Sequence, residues 1–276
     1  MLYHANCPDG FGAAWSAWKR FGNKADYYPV SPNELPPVPL KKREIYLLDH
    51  CYLTPTLLKL RMMNEKVVAI DHHATNAPYV RHASEHVFDV KHSGAVLAWQ
   101  YFHPKKKVPT FLKYVEDGDL WRFKLPQAKP LLSYLYSRPF DFKAWDVLAR
   151  GMESARERKK YLMFGRVLAD YDRMLVDKVA KRAELVQFGK YKVLAVNSSS
   201  GKHHSQVANV LRERHPPLSI VWRIERGMIH VSLRSDGTVD VGKLATQFPG
   251  GGGHPKAAGF TTPLSKGFPW RMLESK

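Results

Sequence analysis

Two short apolar runs in the first third of the chain end abruptly in acidic or histidine residues. Ile45–Leu48 is followed by Asp49, and Val67–Ile70 is followed by Asp71-His72-His73. Such runs are typical of buried strands, and the helical spacing at 55–63 between them favours an α/β fold with a mainly parallel sheet and helices on both faces. Because ligands of these sheets bind beyond the carboxyl ends of the strands, the polar residues are predicted to share a site.

The pattern of apolar and charged residues changes twice in the rest of the chain. Residues 151–184 carry apolar residues at helical spacing among charged ones, which predicts a long amphipathic linker helix; a coiled-coil dimerisation helix is the alternative. Residues 185–276 return to strand-like runs with two helix-like segments, which predicts a smaller α/β domain with its own core. The first domain is therefore expected to span residues 1–150.

The composition is basic, with 43 lysines and arginines against 25 acidic residues and a formal net charge of +18. At 44% hydrophobic residues the chain is not a disordered basic tail, and the charge favours a polyanionic partner, with solubility as the alternative explanation. The mean hydropathy of −0.38 predicts no transmembrane helix and no membrane partner. Without a recognisable signal peptide, and with only Cys7 and Cys51 as cysteines, a cytoplasmic location is expected.

Asp and His side chains at strand ends suit divalent metals such as manganese or zinc better than calcium, which prefers oxygen ligands only. His4, Asp9 and Asp49 follow strand-like segments, and Asp117 comes directly after Lys113-Tyr114-Val115-Glu116. A hydrolase with two metal ions about 4 Å apart needs such a set, because the ions stabilise the attacking and leaving oxygens. The alternative for Asp71-His72-His73 alone is a helix cap with exposed histidines.

These motifs resemble the DHH phosphoesterase superfamily, which includes RecJ-like exonucleases, oligoribonucleases, cyclic-dinucleotide phosphodiesterases and manganese inorganic pyrophosphatases. Asp71-His72-His73, Asp49 and the His4…Pro8-Asp9-Gly10 segment carry the resemblance in the first domain. Near the C-terminus, Gly251-Gly252-Gly253-His254…Ala257-Ala258-Gly259-Phe260 resembles the GGGH motif of the DHH-associated substrate-binding domain. The motifs together span residues 4 to 260.

The resemblance implies a role for each matching residue. Asp49 is expected to bridge two metal ions, Asp71 to support ligation, and His73 to contact the phosphoryl group. Asp119 is the alternative to Asp117 as the fourth-motif ligand. The expected metal ligands are His4, Asp9, Asp49, His72 and Asp117, and the expected catalytic residues are Asp49, Asp71, His72 and His73. The implied cofactor is Mn²⁺ at a two-metal site, with Mg²⁺, Co²⁺ and Zn²⁺ as alternatives.

The C-terminal motif is expected to bind substrate. Successive glycines permit positive φ angles and close backbone approach, so their N–H groups can cradle an anion. The expected substrate-binding residues are Arg234, Ser235, Gly251, Gly252, Gly253 and His254. Arg234 and His254 would add charge-assisted hydrogen bonds to a phosphate.

The first motif departs from the family's Asp-x-Asp-Gly pattern, because Cys7 stands where the first aspartate is expected. Cys7 could ligate a metal as a thiolate, which favours zinc over manganese or magnesium. It could instead be a bystander beside a weaker site completed by water, and this second interpretation is preferred at the level of sequence.

The resemblance implies a metal-dependent phosphoesterase in which two metal ions activate a hydroxide. The expected reaction is exonuclease-like hydrolysis of phosphodiester or phosphomonoester bonds in short oligonucleotides or nucleotides such as pAp, with RNA favoured over long DNA. The alternatives are a cyclic-dinucleotide phosphodiesterase, an exopolyphosphatase or pyrophosphatase, and a nucleic-acid-binding protein with a weakened metal site. A homodimer is compatible with each of them.

Overall fold

The computed structural model describes residues 1–31, 34–199 and 203–273. The chain divides into two compact units, Met1–Ala169 and Asp170–Lys276, and the division falls within the 26-residue helix α8 (Ala155–Ala180).

The first unit is built on a five-stranded sheet in which all neighbouring strands run parallel. In spatial order the strands are β2 (Tyr28–Val30), β1 (Leu2–His4), β3 (Glu44–Leu48), β4 (Lys66–Asp71) and β5 (Glu85–Phe88). Their carboxyl ends therefore meet at one edge of the sheet. The predicted α/β class with a parallel sheet is confirmed.

Helices cover both faces of this sheet because successive strand side chains point in opposite directions. Ile45 and Leu47 pack in one cluster with Leu57, whereas Leu48 packs in another with Ala17. The helices of this unit that precede α8 are α1 (Pro8–Phe21), α2 (Thr54–Met63), α3 (Ala77–Val80), α4 (Gly94–Phe102), α5 (Thr110–Asp119), α6 (Ala128–Tyr136) and α7 (Phe142–Glu153).

A third apolar cluster packs α5, α6 and α7 against α1 and α4. The Trp15 ring stacks on Trp99 at 5.5 Å between centroids and meets Phe111 edge-on at 4.7 Å. Trp145 of α7 lies edge-on to Phe111 at 5.7 Å. Aromatic pairs in these geometries add to the stabilisation that area burial provides, and they set the position of α5 relative to the sheet edge.

The long helix predicted over 151–184 is interrupted near its start. Ser154 separates α7 from α8, and its hydroxyl accepts a hydrogen bond from the Glu157 N–H at 3.4 Å, as in a helix N-cap. Further along, α8 exposes large apolar side chains to solvent: Met163, Phe164, Val167, Tyr171 and Met174. The coiled-coil alternative remains a prediction. None of the helices in the described ranges is both long and apolar enough to span a membrane.

The second unit contains a seven-stranded sheet with the order β10-β11-β9-β8-β7-β6-β12. Its strands are β6 (Glu184–Phe188), β7 (Tyr191–Asn197), β8 (Leu218–Glu225), β9 (Met228–Ser235), β10 (Gly252–His254), β11 (Ala257–Pro263) and β12 (Arg271–Met272). Only β7 and β8 pair in parallel among the described strands of this sheet. Helix α9 (His204–Arg214) packs on one face through Val207 and Leu211, and α10 (Val241–Ala245) contributes to the core of the other.

Candidate metal centre

The carboxyl ends of three neighbouring strands bring the predicted ligands of the first unit together. His4 is the last residue of β1, Asp49 directly follows β3, and β4 ends at Asp71 before His72 and His73. Asp49 has a φ of 54°, a left-handed conformation that non-glycine residues rarely adopt. Such backbone strain is concentrated at functional sites, where the surrounding structure holds it in place.

The two carboxylate oxygens of Asp49 face two different histidines. Oδ2 lies 3.3 Å from His4 Nδ1, and Oδ1 lies 3.2 Å from His72 Nε2. Three groups of potential ligand atoms, each within 4.8 Å of one another, adjoin this carboxylate: His4 with Cys7 and Asp49, Asp71 with His73 and Asp49, and His72 with Asp9 and Asp119. The first and the last of these groups are centred on the two histidines that face Asp49. Asp49 therefore stands between two places where a cation could bind.

The spacing of these atoms suits a divalent cation. His72 Nε2 lies 3.2 Å from Asp49 Oδ1, 3.6 Å from Asp119 Oδ2 and 3.7 Å from Asp9 Oδ2. Ligands about 2.1 Å from a common ion are separated by roughly 3.0–3.4 Å in octahedral or tetrahedral geometry. The distance to Asp49 lies in this range, and the distances to Asp119 and Asp9 are slightly longer. Asp49 Oδ1 is buried and makes no hydrogen bond within the described residues. An ion would satisfy this oxygen.

The charges of the site also call for a cation. Burial lowers the pKa of His72, but the close contact with the Asp49 carboxylate and the charges of Asp49, Asp9 and Asp119 outweigh it and raise the pKa to about 10. Burial and the neighbouring Asp49 and Asp119 raise the pKa of Asp9 well above its ordinary value. In the absence of metal, the protonated His72 is thus one counter-charge for the crowded carboxylates of Asp9, Asp49 and Asp119.

Asp71 organises the loop that follows β4. Its fully buried carboxylate accepts hydrogen bonds from the backbone N–H groups of His72 at 2.7 Å and His73 at 3.0 Å, and from Asn76 Nδ2 at 2.6 Å. His73 Nδ1 lies 2.7 Å from the same carboxylate, which overcomes the effect of burial and raises the pKa of His73 to about 9. Sequence reasoning missed Asn76; the signal was an amide side chain within the turn after the strand.

Asp9 anchors the start of α4. Its buried carboxylate accepts hydrogen bonds from the N–H groups of Gly94 at 2.6 Å and Ala95 at 3.1 Å. Backbone donors at a helix N-terminus stabilise an anion. Ser93 caps the same helix by accepting from the Val96 N–H at 3.4 Å. Sequence reasoning did not connect this helix to Asp9, although a Ser-Gly pair before a helical pattern is a start signal.

The two aspartates at the end of α5 have different surroundings. The carboxylate of Asp117 accepts the backbone N–H groups of Lys124 at 2.9 Å and Leu125 at 3.1 Å, so it holds the loop that follows α5. Asp119, the last residue of α5, is the one whose carboxylate reaches His72. Among the described residues, the ligand groups contain Asp119 and not Asp117, which differs from the expectation drawn from the motif.

Cys7 lies inside the ligand cluster. It occupies the N-cap position of α1, where its side chain makes no capping hydrogen bond, and its sulfur lies within 4.8 Å of ligand atoms of His4 and Asp49. Burial and the charges of Asp49, Asp119 and Asp9 raise the pKa of the Cys7 thiol well above its ordinary value. Without a cation beside it, the sulfur therefore stays protonated.

In the second unit, Arg234 of β9 is the most distinctive of the predicted residues. Its guanidinium donates to the Leu233 carbonyl at 2.8 Å and to Ser205 Oγ at 2.5 Å, and burial lowers its pKa to about 10. No carboxylate pairs with it within the described part of the chain. The Ser235 hydroxyl is already engaged, because it accepts the Gly237 N–H at 3.0 Å.

The glycine motif is a strand rather than an open loop. Gly252, Gly253 and His254 form the edge strand β10, which pairs with β11. Gly253 has a φ of 140°, and a Cβ atom at Gly251 would collide with the carbonyl oxygen of Ala245. Glycine is thus required here by backbone conformation and close packing, and anion binding by this segment stays a prediction.

The chain is similar to several known proteins. Residues 189–269 match the DHHA1 domain family. An uncharacterised protein, R106, of Acanthamoeba polyphaga mimivirus is 28% identical over 291 residues, which cover 97% of this chain and 68% of that protein. Among solved structures, the DHH domain of a member of the S1p family of ribosomal proteins aligns with a TM-score of 0.57 at 13% identity, over 99% of this chain and 82% of that one.

A structure of RecJ in complex with Mn²⁺ from Thermus thermophilus aligns with a TM-score of 0.48 at 15% identity, over 96% of this chain and 49% of that one. The chain therefore shares its fold with the DHH domain structure, and residues 189–269 match the DHHA1 domain family, in agreement with the resemblance that the motifs indicated.

Proposed function

We propose that this protein hydrolyses phosphodiester or phosphomonoester bonds of short oligonucleotides or nucleotides with the help of two divalent metal ions. The observation that carries the proposal is the position of Asp49, whose two oxygens face His4 and His72 in separate ligand groups. A carboxylate shared in this way is what a two-metal hydrolase requires. Mn²⁺ is the proposed cofactor, because the donors are mainly carboxylate and imidazole.

The residues that would hold the ions are His4 and Asp49 on one side and Asp9, Asp49, His72 and Asp119 on the other. Bound divalent ions would supply Lewis acidity toward phosphoryl oxygens and lower the pKa of water to near neutrality. Asp71 fixes the backbone of the loop, so that both histidines of the motif keep their orientation. His73, with a pKa of about 9, is protonated at neutral pH and can donate a hydrogen bond to a phosphoryl oxygen.

Substrate binding by the second unit is supported by Arg234. A guanidinium has five N–H donors in a planar fork, and the described residues use only some of them. A half-buried arginine without a carboxylate partner among those residues is suited to a phosphate, which accepts two parallel hydrogen bonds. The net charge of +18 supports the same class of ligand, since a basic surface attracts phosphate-rich molecules.

A panel of substrates tests the proposal. Purified protein with Mn²⁺ would be assayed on di- to pentanucleotides of RNA, pAp, a cyclic dinucleotide, pyrophosphate and polyphosphate. We expect turnover of the short oligonucleotides or pAp, and its loss in Asp49→Asn. The matched control is Asp170→Asn, because the Asp170 side chain is 70% exposed and pairs only with the neighbouring Arg173 among described residues.

The other outcomes of the panel separate the alternatives. Preferential cleavage of the cyclic dinucleotide or of polyphosphate would replace the proposed substrate class while leaving the phosphoesterase chemistry intact. Binding of RNA without turnover of any substrate by metal-loaded protein would overturn the proposal in favour of a nucleic-acid-binding protein.

A further inference from the structure

The two ligand groups beside Asp49 differ in chemistry. Asp9, His72 and Asp119 offer two carboxylates and an imidazole, whereas His4, Cys7 and Asp49 offer an imidazole, a sulfur and a carboxylate. Sulfur ligands select zinc and other softer ions, while oxygen ligands suit magnesium and manganese. The two positions therefore present unequal environments to a metal ion.

We propose that Cys7 is a thiolate ligand and that the position formed by His4, Cys7 and Asp49 prefers Zn²⁺ or Co²⁺ over Mg²⁺. The other position, with its oxygen-rich donors, would take Mn²⁺ or Mg²⁺, so that the centre holds two different metals. The thiol proton is released to solvent as the sulfur–metal bond forms. This inference rests on the metal centre of the proposed function, but it does not depend on hydrolysis.

The placement of Cys7 supports a ligand role. Ser, Thr, Asp and Asn are preferred at a helix N-cap because their oxygens accept backbone N–H groups, and Cys7 makes no such bond with its side chain. The residue is free of disulfides, and its sulfur lies with ligand atoms of His4 and Asp49.

The third donor of this position is the buried carboxylate of Asp49. Asp49 is 1% exposed, and its Oδ2 atom lies 3.3 Å from His4 Nδ1. A buried carboxylate costs free energy unless a positive charge offsets it. His4 and Cys7 adjoin the same carboxylate, so a metal ion there would be bound by three different donor types.

Cobalt absorption tests the proposal directly. Metal-free full-length protein would be titrated with Co²⁺ while near-ultraviolet absorbance is recorded, because a thiolate bound to Co²⁺ gives an intense charge-transfer band. We expect the band in the wild type and its loss in Cys7→Ser and Cys7→Asp, with circular dichroism used to verify that each variant is folded. Cys51→Ala is the matched control, since the sulfur of Cys51 contacts the Tyr52 carbonyl at 3.5 Å and lies in none of the ligand groups of the described residues.

Metal selectivity provides the second measurement. Replacing the sulfur by a carboxylate in Cys7→Asp should lower the affinity for Zn²⁺ relative to Mn²⁺ by about tenfold or more, equivalent to at least ~1.4 kcal/mol. Competition titrations with a chromophoric chelator would measure this ratio. Bound Co²⁺ without the band in the wild type, or an unchanged Zn²⁺/Mn²⁺ ratio in Cys7→Asp, would overturn the inference.

The two proposals fail separately. If the substrate panel gives no turnover while the charge-transfer band is present, the proposed hydrolysis fails and the thiolate ligand stands. If Mn²⁺ supports turnover but Co²⁺ binds without the band, the thiolate ligand fails and the hydrolysis stands.

Discussion

Gly94 lies so close to Asp49 that a Cβ atom at position 94 would be 2.6 Å from the Asp49 Cβ atom and 2.7 Å from its Oδ1 atom. The N–H group of the same glycine donates to Asp9 at 2.6 Å. The start of α4 therefore lies against two of the candidate ligands. The Gly94 N–H group donates to Asp9, and the absence of a side chain at Gly94 leaves room for Asp49.

Gly94→Ala should displace Asp49 or push the start of α4 away from Asp9. A shift of about 1 Å at a reacting centre can lower activity about 100-fold, and we expect a loss of that order in Mn²⁺-dependent turnover. The amount of metal that stays bound to Gly94→Ala after gel filtration should fall as well. The control is Gln100→Ala on the exposed side of the same helix, which should leave both quantities unchanged. Wild-type metal content in Gly94→Ala would contradict the requirement for a glycine.

Asp117 and Asp119 should respond differently to replacement by asparagine. Asp119→Asn removes a charged ligand beside His72, so metal affinity should fall at least about tenfold while the melting temperature of the metal-free protein changes little. Asp117→Asn weakens the bonds to the Lys124 and Leu125 N–H groups, and it should lower the free energy of unfolding by about 1–3 kcal/mol. Calorimetric metal titration and chemical denaturation of both variants would measure these effects. A loss of metal affinity in Asp117→Asn, with a loss of stability in Asp119→Asn, would identify Asp117 as the ligand instead.

Metal binding should release a proton from His72. A metal ligand must be a neutral imidazole, whereas the pKa of His72 in the metal-free protein is about 10, so below that pH the metal displaces a proton. The apparent affinity should therefore rise with pH, by about tenfold per unit between about pH 6 and pH 9 for one proton. Calorimetry in buffers of different ionisation enthalpy would count the protons. Affinity that is independent of pH would refute the assignment of His72.

The same pKa shift affects the stability of the metal-free protein. Because the pKa of His72 is higher in the folded state than the ordinary value of 6.5, its ion pairs stabilise the fold fully below that value. That contribution is lost as the pH rises through about 10. Denaturation of the metal-free protein at several pH values should show declining stability across this interval, and His72→Gln should reduce the decline.

Arg234 should affect substrate binding and not the metal centre. A charge-assisted hydrogen bond is worth about 1.5–3 kcal/mol, so Arg234→Gln should raise KM for a phosphorylated substrate roughly ten- to hundredfold. Arg234→Lys should recover little, because an ammonium lacks the planar fork of donors. The control is the exposed Arg226→Gln. An unchanged KM in Arg234→Gln, or an equal loss of bound metal, would contradict a role in phosphate binding.

Much of the first unit could be predicted from local patterns. The apolar runs at 45–48 and 67–70 are short and uninterrupted, as in strands buried on both faces, and they form the core of β3 and β4. The interruption at Ser154 and the strand formed by Gly252–His254 could not be predicted in this way. Both depend on hydrogen bonds that a single residue or a partner strand provides, and periodicity does not detect these.

The sequence by itself determined which residue types stand after the strands and in what order, because an apolar run encodes a strand and a parallel sheet gathers the strand ends at one edge. Only the tertiary structure decided which carboxylates converge. Asp117 and Asp119 are two residues apart on one helix, and the direction of each side chain follows from where α5 ends and from the backbone donors near it. The position of Cys7 beside His4 and Asp49 likewise depends on the packing of α1 against neighbouring strands, to which separated parts of the chain contribute.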